Sequence, residues 1–112
     1  MAEDASYILL NRQTVGVSQI GEAYDMGQHN ALCVMINRHT ATTAGTITIQ
    51  HSATLTQDSA TWKDLLSFDL DATGALYTRV ADFLRYVRFT SSGDVGTSPA
   101  PVVSLALIGK AT

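Results

Sequence analysis

Strict two-residue alternation at Thr46–His51 narrows the possible folds of this chain more than any other segment. Ile47 and Ile49 fall on one side of the run, and Thr46, Thr48 and Gln50 fall on the other. Because successive side chains of a strand point to opposite faces, this pattern predicts a strand with one buried face. No segment carries an apolar stripe of helical periodicity over three turns. The chain is therefore predicted to be all-β.

Further short runs of β-forming residues are separated by Gly, Asn, Asp, Ser and Thr. Ala31–Ile36 is almost continuously apolar, which predicts a central strand buried on both faces. Glu22–His29 is predicted to be a loop or a short helix. About eight strands at this spacing indicate an antiparallel β-sandwich, jelly-roll-like in kind. The remaining predicted strands are Tyr7–Leu10, Thr14–Ile20, Trp62–Phe68, Ala75–Val80, Arg85–Thr90 and Val102–Ile108.

The length of 112 residues suits one domain. We interpret residues 13–112 as a single β-sandwich domain and residues 1–12 as an N-terminal arm or edge strand. Within that arm, the apolar segment Ala5–Leu10 is expected to pair with the sheet edge of a neighbouring molecule. The uncharged stretch Thr40–Thr46 is expected to lie flat on a partner. Deletion of residues 1–10 is then expected to weaken assembly while the sandwich still folds.

The composition of the chain argues against nucleic acid and membranes as partners, and it leaves two explanations for the apolar character of the chain. Charged residues make up 15% of the chain, against about 25% in typical domains, and mean hydropathy is +0.11. Either other subunits cover part of the surface, or the abundant Ala and Thr residues raise the hydropathy without forming adhesive patches. The net charge of −3 argues against direct contact with nucleic acid. No apolar run is long enough to span a membrane.

The cellular compartment is predicted from the single cysteine and the N-terminus. Cys33 cannot form an intrachain disulfide and lies in an apolar run, so it is expected to be buried. The acidic start of the chain does not resemble a signal peptide, which would be basic there. The protein is thus expected to be made in a cytoplasm.

Metal-binding chemistry is suggested at two places and is incomplete at both. Among His29, His39, His51 and Cys33, only His29 and Cys33 have the paired local spacing of a zinc site, and Cys33 is expected to be buried. The histidines are therefore interpreted as surface or loop residues. Asp69–Gly74 begins like a calcium-binding loop, but its twelfth position would be Val80 instead of glutamate. We predict a hairpin turn there, with Gly74 at positive φ. No metal or other cofactor is predicted.

No enzymatic motif is found, and the aromatic residues have two interpretations. The motifs G-x-S-x-G, G-x-G-x-x-G and the P-loop are absent from the sequence, so no catalytic residues are assigned and the protein is predicted not to be an enzyme. Trp62, Tyr77 and Tyr86 could form an aromatic platform for sugars. The favoured alternative places Trp62 in the core.

A family resemblance rests on two segments, Ser52–Leu65 with its TWKDL strand start and Ala81–Thr90 with the sequence ADFLRYVRFT. Together they resemble galactose-binding-like (discoidin-type) jelly rolls and, more closely, the compact β-sandwich structural proteins of tailed bacteriophages. The resemblance covers roughly Thr46–Ile108. The chain is shorter than discoidin-type domains, lacks their terminal cysteines and has no Gly in the turn before Trp62, so ligand-binding loops are not carried over.

The resemblance implies a non-enzymatic virion structural protein, such as a capsid decoration, head-fibre or tail-associated subunit. Its expected partners are other copies of itself and other virion proteins of the capsid or tail. Its expected location is the virion, after synthesis in the host cytoplasm. The alternative is a carbohydrate-binding β-sandwich module, with a glycan on the host surface as its ligand.

Overall fold

A computed structural model describes residues 5–16, 18–40, 45–55, 61–92 and 101–110. These residues form eight β-strands. The strands are β1 (Ala5–Thr14), β2 (Tyr24–Asp25), β3 (Ala31–Thr40), β4 (Thr46–Ser52), β5 (Lys63–Asp69), β6 (Gly74–Val80), β7 (Tyr86–Ser92) and β8 (Val102–Lys110).

The strands form two four-stranded antiparallel sheets. The first sheet has the order β1-β8-β3-β6, and the second has the order β2-β7-β4-β5. Along the chain, each strand lies in the opposite sheet from the one before it, except that β4 and β5 are adjacent in the second sheet. This arrangement confirms the predicted all-β antiparallel sandwich of about eight strands.

The core lies between the two sheets and is built from alternate residues of the strands. Ile47 and Ile49 are completely buried, as the alternation at Thr46–His51 predicts. Both sheets contribute to one apolar cluster, as expected for packed sheets. Its strand residues are Leu10, Leu32, Val34, Ile36, Val103, Leu105 and Leu107 from the first sheet, and Ile47, Ile49, Phe68, Val87 and Phe89 from the second.

The prediction that Ala31–Ile36 is buried on both faces is wrong. This part of β3 alternates, with Leu32, Val34 and Ile36 buried, Met35 45% exposed and Cys33 only partly buried. The outward-facing residues Cys33 and Met35 are apolar, but the second sheet does not cover them. The expected burial of Cys33 fails for the same reason.

The second predicted strand lies in the wrong place. Most of Thr14–Ile20 is irregular, with Ser18 at φ 54° and Ile20 forming only an isolated bridge to Thr90. The backbone N–H of Gly16 donates to the Gln19 side chain, a local bond that replaces strand pairing. The short strand β2 instead lies within the segment that was predicted to be a loop or helix.

The turn at Asp69–Gly74 connects the two sheets and is not a hairpin turn, because β5 and β6 pair with different strands. Gly74 has the predicted positive φ, at 120°. The guanidinium group of Arg38 in β3 donates to the backbone carbonyls of the turn. Its nitrogens lie 3.1 Å from Asp69 O, 3.4 Å from Thr73 O and 3.2 Å from Gly74 O.

Ala5–Leu10 belongs to an edge strand, one of the two alternatives predicted for residues 1–12. β1 pairs antiparallel with β8 of the same chain, and its Leu10 is 3% exposed within the core cluster. Because β1 lies at the end of the strand order, its pairing with a neighbouring molecule through the other edge stays a prediction. Residues 41–44 of the predicted contact stretch Thr40–Thr46 lie outside the described residues.

Candidate assembly surface

A row of apolar side chains crosses the outer face of the first sheet from edge to edge. Strand register places Ile8 of β1 beside Ala106 of β8, Ala106 beside Met35 of β3, and Met35 beside Tyr77 of β6. Ile8 is 66% exposed, Met35 45% and Tyr77 72%. We call these four residues the outer row. Large side chains in one continuous exposed line differ from apolar residues scattered singly on a surface.

The outer row borders a shallow groove of about 360 Å³. Its walls include Ala75 from β6, together with the exposed face of Met35. Polar groups are confined to one side, where Asn37 and Ser104 occupy the next row of the sheet. The groove therefore offers mainly van der Waals and hydrophobic contact, with few groups able to orient a small polar ligand.

Strand β6 is an edge strand that remains exposed on both faces. Tyr77 points outward with the outer row, whereas Leu76 pairs with the buried Ile36 and points toward the inner side. Leu76 is nevertheless 45% exposed. The second sheet therefore does not cover the inner side of β6 at this point.

The outer face of the second sheet carries a hydrogen-bonded polar network, next to which Ile20 and Leu55 are 59% and 66% exposed. Arg88 donates from Nε to Gln50 at 3.0 Å, and Gln50 donates to Asp64 at 3.0 Å. The Arg88 guanidinium carbon lies 4.2 Å from the centre of the Trp62 ring. Burial lowers the pKa of Arg88 from its ordinary value. The part of this face around Gln50 and Asp64 therefore offers hydrogen-bonded groups, whereas the outer row offers apolar ones.

Trp62 is buried, as predicted, but outside the space between the sheets. Its ring is 4% exposed and packs on Arg88, whose chain neighbours Val87 and Phe89 point into the core. Tyr77 belongs to the other sheet. Trp62, Tyr77 and Tyr86 therefore do not form one aromatic platform.

A second groove, of about 770 Å³, lies at one end of the sandwich. Asp25 and Arg85 at its rim form an exposed ion pair of 2.9 Å. His29 lines the groove but is only 7% exposed, and neither of its ring nitrogens has a hydrogen-bond partner. The ring packs closely against Gly109, where a Cβ would overlap it. Both nitrogens are shielded from solvent, so this arrangement offers no open ligand-binding atom.

The other histidines have structural hydrogen bonds. His39 bonds the Ser104 hydroxyl at 2.9 Å, and His51 accepts the backbone N–H of Leu84 at 3.0 Å. Of the three histidines interpreted as surface or loop residues, His29 does lie in a loop, between β2 and β3, although it is buried. His39 lies in β3 and His51 in β4, and both are only partly buried. No three His, Cys, Asp or Glu side chains within the described ranges lie close enough to hold a metal ion.

The sequence interpretation missed the outer row as a site. Ile8 lies in a continuous apolar run, as does Met35, so two-residue alternation could not separate inward from outward residues. Tyr77 was considered only with Trp62. Part of the outer row was visible in the sequence. In β3, residues that point inward and residues that point outward are both apolar, and β6 carries an aromatic residue, Tyr77.

Comparison with known proteins gives a structural match but no sequence match. No protein-family model matches the chain, and no curated protein matches it. The crystal structure of SPBc2 prophage-derived protein YomS superposes with a TM-score of 0.53 at 13% sequence identity. The match covers 96% of each chain, so the likeness extends over the whole fold. Separately, no helix in the described part of the chain has the length and hydropathy needed to cross a membrane.

Proposed function

We propose that this protein is a non-enzymatic structural subunit of a bacteriophage particle that acts by assembling with other copies of itself. It would serve as a capsid decoration, head-fibre or tail-associated protein and be located in the virion. The observation that carries the proposal is the outer row, an exposed apolar line across all four strands of one sheet. The fold shared with a prophage-derived protein supports the phage setting.

The physical reason for assembly is the contrast between the two outer faces. Removing apolar surface from water stabilises a contact by about 25 cal/mol per Å². The outer row provides such surface in the side chains of Ile8, Met35 and Tyr77, which are all at least 45% exposed. The Arg88–Gln50–Asp64 network of the second sheet instead ends at the exposed carboxylate of Asp64, whose burial would require desolvation of its charge. Self-association is therefore favoured through the first sheet.

The proposal is tested by measuring molar mass in solution with size-exclusion chromatography and light scattering over a range of protein concentrations. The unmodified protein should form a defined oligomer. Met35→Lys places a charge in the middle of the outer row and should reduce the molar mass of the oligomer. Ser67→Lys is the matched control, since Ser67 is exposed on the outer face of the second sheet, beside Thr48. It should leave the oligomer unchanged.

The virion role requires a separate measurement. Purified particles of the phage that encodes the chain should contain it in a fixed number of copies per particle, measured by quantitative mass spectrometry. A monomer at every concentration, together with absence from purified particles, would contradict the proposed function. An oligomer that is disrupted equally by Met35→Lys and Ser67→Lys would contradict the assignment of the outer row.

A further inference from the structure

We propose that β6 is the edge through which two copies pair, antiparallel and about a two-fold axis at Tyr77, into one continuous eight-stranded sheet. This inference rests on the proposed function and adds a contact between strand edges to the contact through the outer row. It follows from a comparison of the four edge strands, from the exposure of β6 on both faces and from the side chains that self-pairing would bring together.

Three of the four edge strands have features that discourage pairing with another chain. The pairing of β1 with β8 is interrupted by two register shifts, and Arg12 within it has a φ of 51°. β2 has only two residues. β5 contains a register shift and carries the charged residues Lys63, Asp64 and Asp69. Irregularity, shortness and charge all limit edge-to-edge association.

β6 lacks these features along Ala75–Val80, and only its first residue, Gly74, has a positive φ, of 120°. All seven of its residues pair with β3 in an unbroken register from Leu32–Val80 to Arg38–Gly74. The strand contains no Pro and no Lys, and its one charged residue is Arg79. Its backbone edge is therefore long and regular, and it can accept a further strand.

The approach to this edge is open on both sides. Tyr77 is 72% exposed on the outer side, and Leu76 is 45% exposed on the inner side, where the second sheet does not cover it. A strand added beside β6 would therefore meet no part of the described second sheet at Leu76. It would also shield side chains on both faces of β6.

A second copy is the occupant that best fits the side chains of β6. Tyr77 is the middle residue of Gly74–Val80, so full overlap of two antiparallel copies requires Tyr77 to face its counterpart. Arg79 then faces Ala75 of the second copy, and no like charges are directly opposed. Each Arg79 also becomes a diagonal neighbour of the other copy's Tyr77, close enough for a cation–π contact. The two outer rows join into one line across eight strands.

Cross-linking of single cysteines tests this register. In a Cys33→Ser background, Tyr77→Cys should give a covalent dimer with a short bis-maleimide reagent that requires two neighbouring thiols. Arg79→Cys should react weakly, because antiparallel pairing separates the two copies of this position. Ser67→Cys is the control on the other sheet and should also stay unlinked. Circular dichroism confirms that each variant is folded.

The outcomes separate the inference from the proposed function. A strong dimer band only with Tyr77→Cys supports pairing through β6. An oligomer by light scattering with no preferential link at position 77 overturns the β6 pairing and leaves self-assembly standing. A wild-type protein that stays monomeric at every concentration overturns both the β6 pairing and self-assembly.

Discussion

Trp62 illustrates how a single residue can be buried without belonging to the central core. Its ring is 4% exposed because it packs on the outer side of the second sheet, with Arg88 stacked over it. Arg88 is in turn oriented by its hydrogen bond to Gln50. Burial of the ring and the position of the guanidinium therefore depend on each other.

We expect Trp62→Ala to lower the free energy of unfolding by about 3 kcal/mol, as for other large aromatic truncations at buried sites. The loss combines the removed ring with an Arg88 guanidinium left partly buried without its stacking partner. Urea unfolding followed by circular dichroism measures it. Trp62→Phe is the control and should lose less, since an aromatic face remains under Arg88. A loss below about 0.5 kcal/mol, the usual range of surface substitutions, would mean that the ring is dispensable.

Asp25 gives a residue-scale prediction about pH. The hydrogen bonds from Arg85, and then that from the backbone N–H of Gly27, lower the pKa of Asp25 below its ordinary value of 3.8. The ionised carboxylate therefore stabilises the folded state above that ordinary value, and this contribution is lost as the pH falls through the lower folded-state value.

We expect the melting temperature of the wild-type protein to exceed that of Asp25→Asn near neutral pH. The two melting temperatures should converge as the pH falls below about 3.8. Thermal unfolding at a series of pH values measures the difference. Added salt should reduce it, because the Asp25–Arg85 pair is exposed. A constant difference down to the lowest pH would contradict the assigned role of Asp25.

At the scale of secondary structure elements, Arg38 joins three parts of the fold. It belongs to β3, and its side chain donates to the carbonyls of the turn between β5 and β6. β6 pairs with β3, so the same residue holds the turn and adjoins the strand that follows it. The planar guanidinium with several N–H groups is suited to this contact.

We expect Arg38→Ala to lower the free energy of unfolding by about 1–2 kcal/mol, since hydrogen bonds from a charged group to exposed carbonyls contribute at that level. Arg38→Lys should recover only part of the loss, because one ammonium group cannot reach the three carbonyls in the same geometry. Chemical denaturation measures both variants. Equal stability of the Arg38→Lys variant and the wild-type protein would show that charge alone is sufficient.

Alternation of apolar and polar residues predicted one strand correctly and also predicted a strand in a segment that is mostly irregular. Thr46–His51 alternates strictly, and β4 has the predicted bounds to within one residue. Thr14–Ile20 also looks β-like, but local bonding at Gly16 and the positive φ of Ser18 prevent regular pairing. These conformations depend on contacts such as the bond from Ser91 to the Gly16 carbonyl, 75 residues away in sequence. A local pattern does not contain that information.

At the scale of the whole molecule, the two sheets depend on each other because the chain crosses between them repeatedly. The complete outer row could not be predicted from local sequence patterns. Its members come from β1, β3, β6 and β8, and only the strand order brings them into line. Sequence composition indicated an apolar surface but not its position.

Deletion of residues 1–10 is now expected to destabilise the whole sandwich, in contrast to the expectation from sequence. The deletion removes most of β1, its pairing with β8 and the buried Leu10. Circular dichroism should show loss of the cooperative unfolding transition. Deletion of residues 1–4 is the control, because it leaves all of β1 in place. A truncated chain that lacks residues 1–10 and still unfolds cooperatively would show that β1 is not required for folding.

The position of Trp62 has a practical consequence for spectroscopy. It is the one tryptophan of the chain, and it lies on the opposite sheet from the outer row. Its fluorescence emission should shift to longer wavelength when the sandwich unfolds and water reaches the indole. Association through the first sheet should leave the emission maximum unchanged. The protein therefore carries an intrinsic optical signal that reports folding separately from subunit association.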